Sequence, residues 1–165
     1  MQHYGLPTCL LDWSESALTG LFFAVWDDKF SKTDGCVWGF NPYRFNENQI
    51  KEARVLGAFN KKCQTLFREA FDKKEEFDKR IMAVIPTEID QRVQAQLSRF
   101  TIHGEDIPLE TFPSQGELLL QLVIPSEAKK LIRRQLYFMG IREANLFPDL
   151  HHLAAELRYL NIPSP

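Results

Sequence analysis

The run Ala17-Leu18-Thr19-Gly20-Leu21-Phe22-Phe23-Ala24-Val25-Trp26 constrains the fold more than any other stretch. Ala17, Leu18, Leu21, Phe22, Val25 and Trp26 recur at the three-and-four spacing of one helix face, and Phe23 and Ala24 widen it. A helix with so broad an apolar face needs cover on several sides, which makes it the central helix of the fold. Ser14 is positioned to cap its start. Asp27 and Asp28 fall at its end, where the helix dipole disfavours acids, and the polar run Ser31 to Gly35 stops it.

The remaining chain supplies the cover. Cys36 to Phe40 is a short β-prone run ended by Asn41-Pro42 and is read as an interior strand. Phe59, Cys63, Phe67 and Phe71 repeat every four residues with cations between them, the pattern of an amphipathic helix. Asp72 to Arg80 mixes charges of both signs and reads as a solvated connection. Ile81 to Ile85 is a strand closed by Pro86, and Thr87 caps a helical turn through Ala95. Phe100 to His103 is another strand, Gly104 to Gly116 a long loop, and Leu118 to Ile124 the strongest strand signal. Pro125-Ser126-Glu127 then opens a helix with Ala128, Leu131, Ile132, Leu136 and Phe138 as its apolar stripe and Gly140 as its stop. A last helix starts near Pro148-Asp149 and carries Leu150, Leu153, Ala154, Leu157 and Leu160.

Helices alternating irregularly with short strands, without an internal repeat or a dividing linker, predict a single α+β domain with a small mixed or antiparallel sheet packed against several helices. The length of 165 residues, 44% of them apolar, is enough for one core. A formal charge of −2 argues against bulk nucleic-acid binding. Three widely spaced cysteines, Cys9, Cys36 and Cys63, point to a reducing compartment, so the cytoplasm is the expected location. No apolar run reaches the roughly 18 residues of a membrane span, and no membrane partner is expected.

Polar and aromatic side chains crowd the front of the chain: Gln2, His3, Tyr4, Thr8, Asp12, Trp13, Ser14 and Ser16. His3 has the ring chemistry of a general base, or it bonds its own loop. Tyr4 stacks on a base or nicotinamide, or packs in the core. Asp12 holds loop amides or a ligand. Ser16, in the first turn of the helix, faces a ligand or solvent. Arg92 and Gln96 are four apart and share a helix face, as a surface pair or as part of a site. Trp13 and Trp38 read as packing. His151 and His152 are adjacent and point to different sides of a helix, so no metal site is expected. Lys129-Lys130 and Arg133-Arg134 form a basic stripe that touches phosphate or is simply solvated. Nucleophile elbows, phosphate-cradling Gly-rich loops and dinucleotide fingerprints are absent from the sequence.

The run Gln2-His3-Tyr4-Gly5-Leu6-Pro7-Thr8-Cys9-Leu10-Leu11-Asp12-Trp13, followed by Ser14, Ser16, Leu21, Phe22 and Ala24, resembles the FRG domain, a family named for a Phe-Arg-Gly motif. Asp34-Gly35-Cys36-Val37-Trp38, Arg92 with Gln96 and Phe100, and Leu146-Phe147-Pro148-Asp149-Leu150 resemble its later blocks in order. Three features depart from the family pattern: Cys9 stands where Arg is usual, Ser98 where Gly is usual, and the Phe-Arg-Gly motif itself is missing. The resemblance therefore implies a domain truncated at its N-terminus, with an exposed apolar edge offered to a protein partner. The layout Asp12-Trp13-Ser14-Glu15-Ser16 running into Phe22-Phe23-Ala24 is also similar to ADP-ribosyltransferases.

Together these resemblances imply a site for a nucleotide or NAD-type ligand in which His3 and Gln96 are the catalytic candidates. Gln2, Tyr4, Thr8, Asp12, Ser14, Ser16 and Arg92 are the binding candidates, NAD the candidate cofactor, and bacterial defence or toxicity the implied setting. The alternative is a non-catalytic interaction module, or the inactive remnant of a truncated gene, in which the same residues only pin the fold.

Overall fold

A computed structural model describes residues 9–72, 80–86, 90–104, 108–109 and 118–161. Six strands and seven helices alternate among them: β1 Leu10–Ser14, α1 Ala17–Trp26, β2 Gly35–Phe40, α2 Pro42–Ile50, β3 Leu56–Gly57, α3 Lys61–Asp72, β4 Ile81–Ile85, α4 Gln91–Ala95, β5 Ser98–His103, β6 Leu119–Ile124, α5 Lys129–Phe138, α6 Glu143–Leu146 and α7 Leu150–Asn161. The class is α+β. A mixed four-stranded sheet runs β1-β5-β4-β3, and β2 pairs with β6 in a two-stranded sheet. β3 and β4 are parallel, with Leu56 opposite Val84, whereas β4 and β5 are antiparallel, with Ala83 opposite Thr101. The strand expected to be interior, β2, has only β6 beside it among the described residues.

The chain gathers into two compact units, each assembled from interleaved segments. The first comprises Met1–Trp13, Trp38–Glu88 and Arg99–Gln121. β4 is buried at Ile81, Met82, Ala83 and Val84, as an apolar run covered on both faces must be. One side packs with Ile50, Leu56, Cys63, Leu66 and Ile102, the other with Phe45, Leu109, Trp13 and Phe40. Asn46, fully buried on α2, stands in for a strand beside β4. Its amide donates to the carbonyls of Ala83 at 2.9 Å and Arg54 at 2.8 Å, and its oxygen accepts the Ala83 N–H at 2.8 Å. Those backbone groups would otherwise be stranded next to β3, which is only two residues long. α2 itself begins with Asn41 as cap and Pro42 at its first turn, so the residues that end β2 also start a helix. Trp13 packs edge-on to Phe40 and donates its ring N–H to Thr101 Oγ1 at 3.0 Å. Phe59 precedes α3 and is 74% exposed, so the inward residues of that helix's start are Cys63 and Leu66.

The second unit comprises Ser14–Val37, Ile89–Ser98 and Leu122–Pro165. α1 is its centre. Phe22 and Val25 pack with Leu136, Leu146 and Phe147. The cap of α1 is Ser16, whose oxygen accepts the Thr19 N–H at 3.2 Å; Ser14 is the last residue of β1 instead. The basic stripe is divided by the helical period. Lys129 is buried and donates to Phe30 O at 3.0 Å, and Arg133 donates through Nε and Nη2 to Val25 O and through Nη1 to Asp28 at 2.6 Å. Arg133 thus satisfies the Val25 carbonyl in the last turn of α1 and offsets Asp28 beyond it, and Lys129 satisfies the Phe30 carbonyl that follows the helix. Gly35 leaves room for this arrangement, since a Cβ on it would lie 2.6 Å from Ala24 O and 3.2 Å from the Lys129 stem. Several residues expected in apolar stripes face outward: Leu131, Phe138, Leu150 and Leu153 are all exposed.

Candidate functional site

The second unit brings together the end of β1, helix α4 and the segment leading into α7. Asp90, and not Thr87, is the residue whose side chain caps α4, accepting the Val93 N–H at 2.7 Å; Thr87 lies outside the described residues. Arg92 and Gln96 lie one turn apart, Gln96 as the C-terminal cap. Ser14 Oγ donates to the Gln96 carbonyl at 2.6 Å and accepts the Ser16 N–H at 3.0 Å, while the Glu15 N–H donates to Leu97 O at 3.1 Å. The Gln96 side-chain amide donates in turn to Leu146 O at 3.0 Å. Ser14, Ser16 and Gln96 are thus one chain of hydrogen bonds that ends on the Leu146-Phe147 block.

Leu97, between Gln96 and Ser98, has φ of 50°, a left-handed conformation in which a leucine is strained. Its carbonyl is held there by Glu15. The left-handed residue marks a tight turn at residues 96–98.

Phe147 is the hub of the aromatic group. Trp26 lies 5.4 Å from its centroid, Phe23 meets it edge-on at 5.9 Å, and the His152 ring stacks on it at 4.5 Å. The Arg92 guanidinium carbon stands 4.8 Å from the same centroid, in cation–π range. His152 is fixed by Asp149, which accepts both its backbone N–H at 3.0 Å and its Nδ1 at 2.8 Å. Those bonds, the backbone one first, hold the Asp149 carboxyl below the usual carboxylate range. The Asp-x-x-His spacing is the sequence signal for this pair, and the adjacency of His151 and His152 that excludes a joint metal site does not reveal it.

Asp12 lies on β1 in the first unit and is exposed. Gln2, His3, Tyr4 and Thr8 lie outside the described residues. Among the described residues no group of three or more His, Cys, Asp or Glu side chains is arranged to hold a metal. The first unit also has an open cleft lined by Arg44, Glu47, Asn48 and Leu118, none of them a residue singled out from the sequence.

The architecture and this linkage define an α+β protein whose separate sequence blocks meet through hydrogen bonds and one aromatic hub. The family model of the FRG domain matches residues 1–33, a similarity that covers β1 and α1. No curated protein and no solved structure matches the chain, and the similarity in layout to ADP-ribosyltransferases finds no support. No helix among the described residues is long and apolar enough to cross a membrane.

Proposed function

We propose that the chain is a binding domain for a phosphate-bearing nucleotide of the NAD kind, with Arg92 as its anion contact. The observation that supports this reading is the Arg92 guanidinium over the Phe147 ring, beside the hydrogen-bond chain from Ser14 through Gln96 to Leu146. A planar fork resting on an aromatic ring is a fit partner for phosphate oxygens. Ser14 Oγ, Ser16 Oγ and Gln96 Nε2 bond the protein itself, and the three act as positioning residues. Gln96 has no proton to exchange near neutral pH, so it is not a general base.

The test is a thermal-shift series on the full chain with NAD, ADP-ribose and a phosphate-free nucleoside. The first two are expected to raise Tm and the third to leave it unchanged. A Tm that none of them moves would overturn the reading.

A second reading, a non-catalytic interaction module, draws on the same hydrogen bonds, because Ser14 Oγ both donates and accepts within the fold. It predicts that Gln96→Leu lowers stability and changes no ligand response.

A further inference from the structure

We infer that the outward face of α5 is a docking surface for an anionic lipid bilayer. This surface is separate from the Arg92 site. The helical period places Lys130, Leu131, Arg134, Gln135 and Phe138 on one exposed stripe, continued by Met139. Leu131 is 59% exposed, Phe138 73% and Met139 56%. Their exposure is unusual for large apolar groups on a helix whose other side is fixed by buried Lys129 and Leu136.

The charge on this face is of one sign. The ten residues of α5 contain four cations and no acid. Two of the cations, Lys129 and Arg133, are engaged by carbonyls and by Asp28, so Lys130 and Arg134 are the outward pair. Arg134 lies with its guanidinium 5.8 Å from the Phe138 ring, so cation and apolar group are presented together. The whole chain carries a net charge of −2, and attraction to an anionic surface is therefore a property of this face and not of the molecule.

Complementary charge sets the occupant. A second copy is disfavoured, because the charges of this stripe are all cationic and a two-fold pairing with itself sets like charge against like. An acidic helix from another protein would need a groove to lie in, whereas a single helix ridge is convex. A bilayer needs no groove: the apolar tips enter the headgroup boundary and the long cationic stems keep their charges at phosphate level. The absence of a membrane-spanning run, from which no membrane partner was expected, bears on spanning and leaves surface association open.

Co-sedimentation of the full chain with vesicles tests this. Phosphatidylcholine vesicles should not pellet the protein, and vesicles with one third phosphatidylglycerol should pellet it at low salt, with the bound fraction falling as salt rises. Lys130→Glu with Arg134→Glu should lower binding by about tenfold or more, and Phe138→Ser with Met139→Ser should also weaken it, both variants keeping the wild-type circular dichroism spectrum and Tm. Absence of pelleting with anionic vesicles at low salt would overturn the proposal. So would unchanged binding by the folded charge-reversal variant, or binding to soluble polyglutamate in place of vesicles.

Discussion

Ser14 donates its hydroxyl proton to the backbone carbonyl of Gln96 at 2.6 Å, across 82 positions of sequence. The bond fastens the end of β1 to the end of α4, and the Gln96 side chain carries the connection to Leu146. Ser14→Ala removes both this bond and the acceptor for the Ser16 N–H, and should cost about 1–3 kcal/mol in urea unfolding. A change below about 0.3 kcal/mol would show that solvent replaces the clamp.

Asn46 has the larger structural burden. Replacing it with Leu keeps the volume and strands the N–H and carbonyl of Ala83 and the carbonyl of Arg54. With about 1–3 kcal/mol for each unsatisfied group, Asn46→Leu should destabilise by at least about 3 kcal/mol. Asn46→Asp, which can still accept from Ala83 but cannot donate, should be nearly as damaging. Denaturant midpoints of the two variants check both statements.

The strain at Leu97 can be released. Asn tolerates the left-handed region better than Leu, and Leu97 is 48% exposed, so little burial is lost by replacing it. Leu97→Asn should raise stability by about 0.5–1 kcal/mol, read as a higher Tm in calorimetry. A fall in Tm would mean that the leucine side chain contributes more than its conformation costs.

Asp149 gives the acid dependence a sign. Its folded pKa lies below the ordinary value because the His152 backbone and ring N–H groups donate to it. The stability it contributes is complete above the unfolded pKa and is lost as pH falls through the folded one, a window that opens below about pH 4. Asp149→Asn retains a helix-capping oxygen without the titration, so its stability should change less than that of the wild type between pH 5 and pH 2, as followed by urea midpoints across that range. Equal slopes for the two proteins would contradict this.

Parts of both units were legible because burial follows the local period. Phe22 and Val25 of α1 recur as a packed helix requires, whereas Ala17, Leu18 and Phe23 face outward, and β4 is a continuous apolar run between Arg80 and Pro86. The caps were less legible. Ser14 and Ser16 are both cap residues by type, and only the position of β1 decides that Ser16 serves. α2 was missed because Asn41-Pro42 ends a strand and opens a helix with the same two residues. Lys129, Lys130, Arg133 and Arg134 cover two faces of one helix, so which pair turns inward depends on the Val25 and Phe30 carbonyls far away in sequence. The site itself is long-range in the same sense: spacing put Arg92 and Gln96 on one face, but nothing local put Phe147 and Leu146 opposite them.

Isothermal titration of the full chain with ADP-ribose, wild type against Arg92→Ala, tests the central claim most directly. The account predicts saturable binding by the wild type and a loss of about tenfold or more in affinity for Arg92→Ala, the worth of one charge-assisted contact to phosphate, with the variant's fold intact. Binding absent from the wild type, or equal in the two proteins, would contradict it.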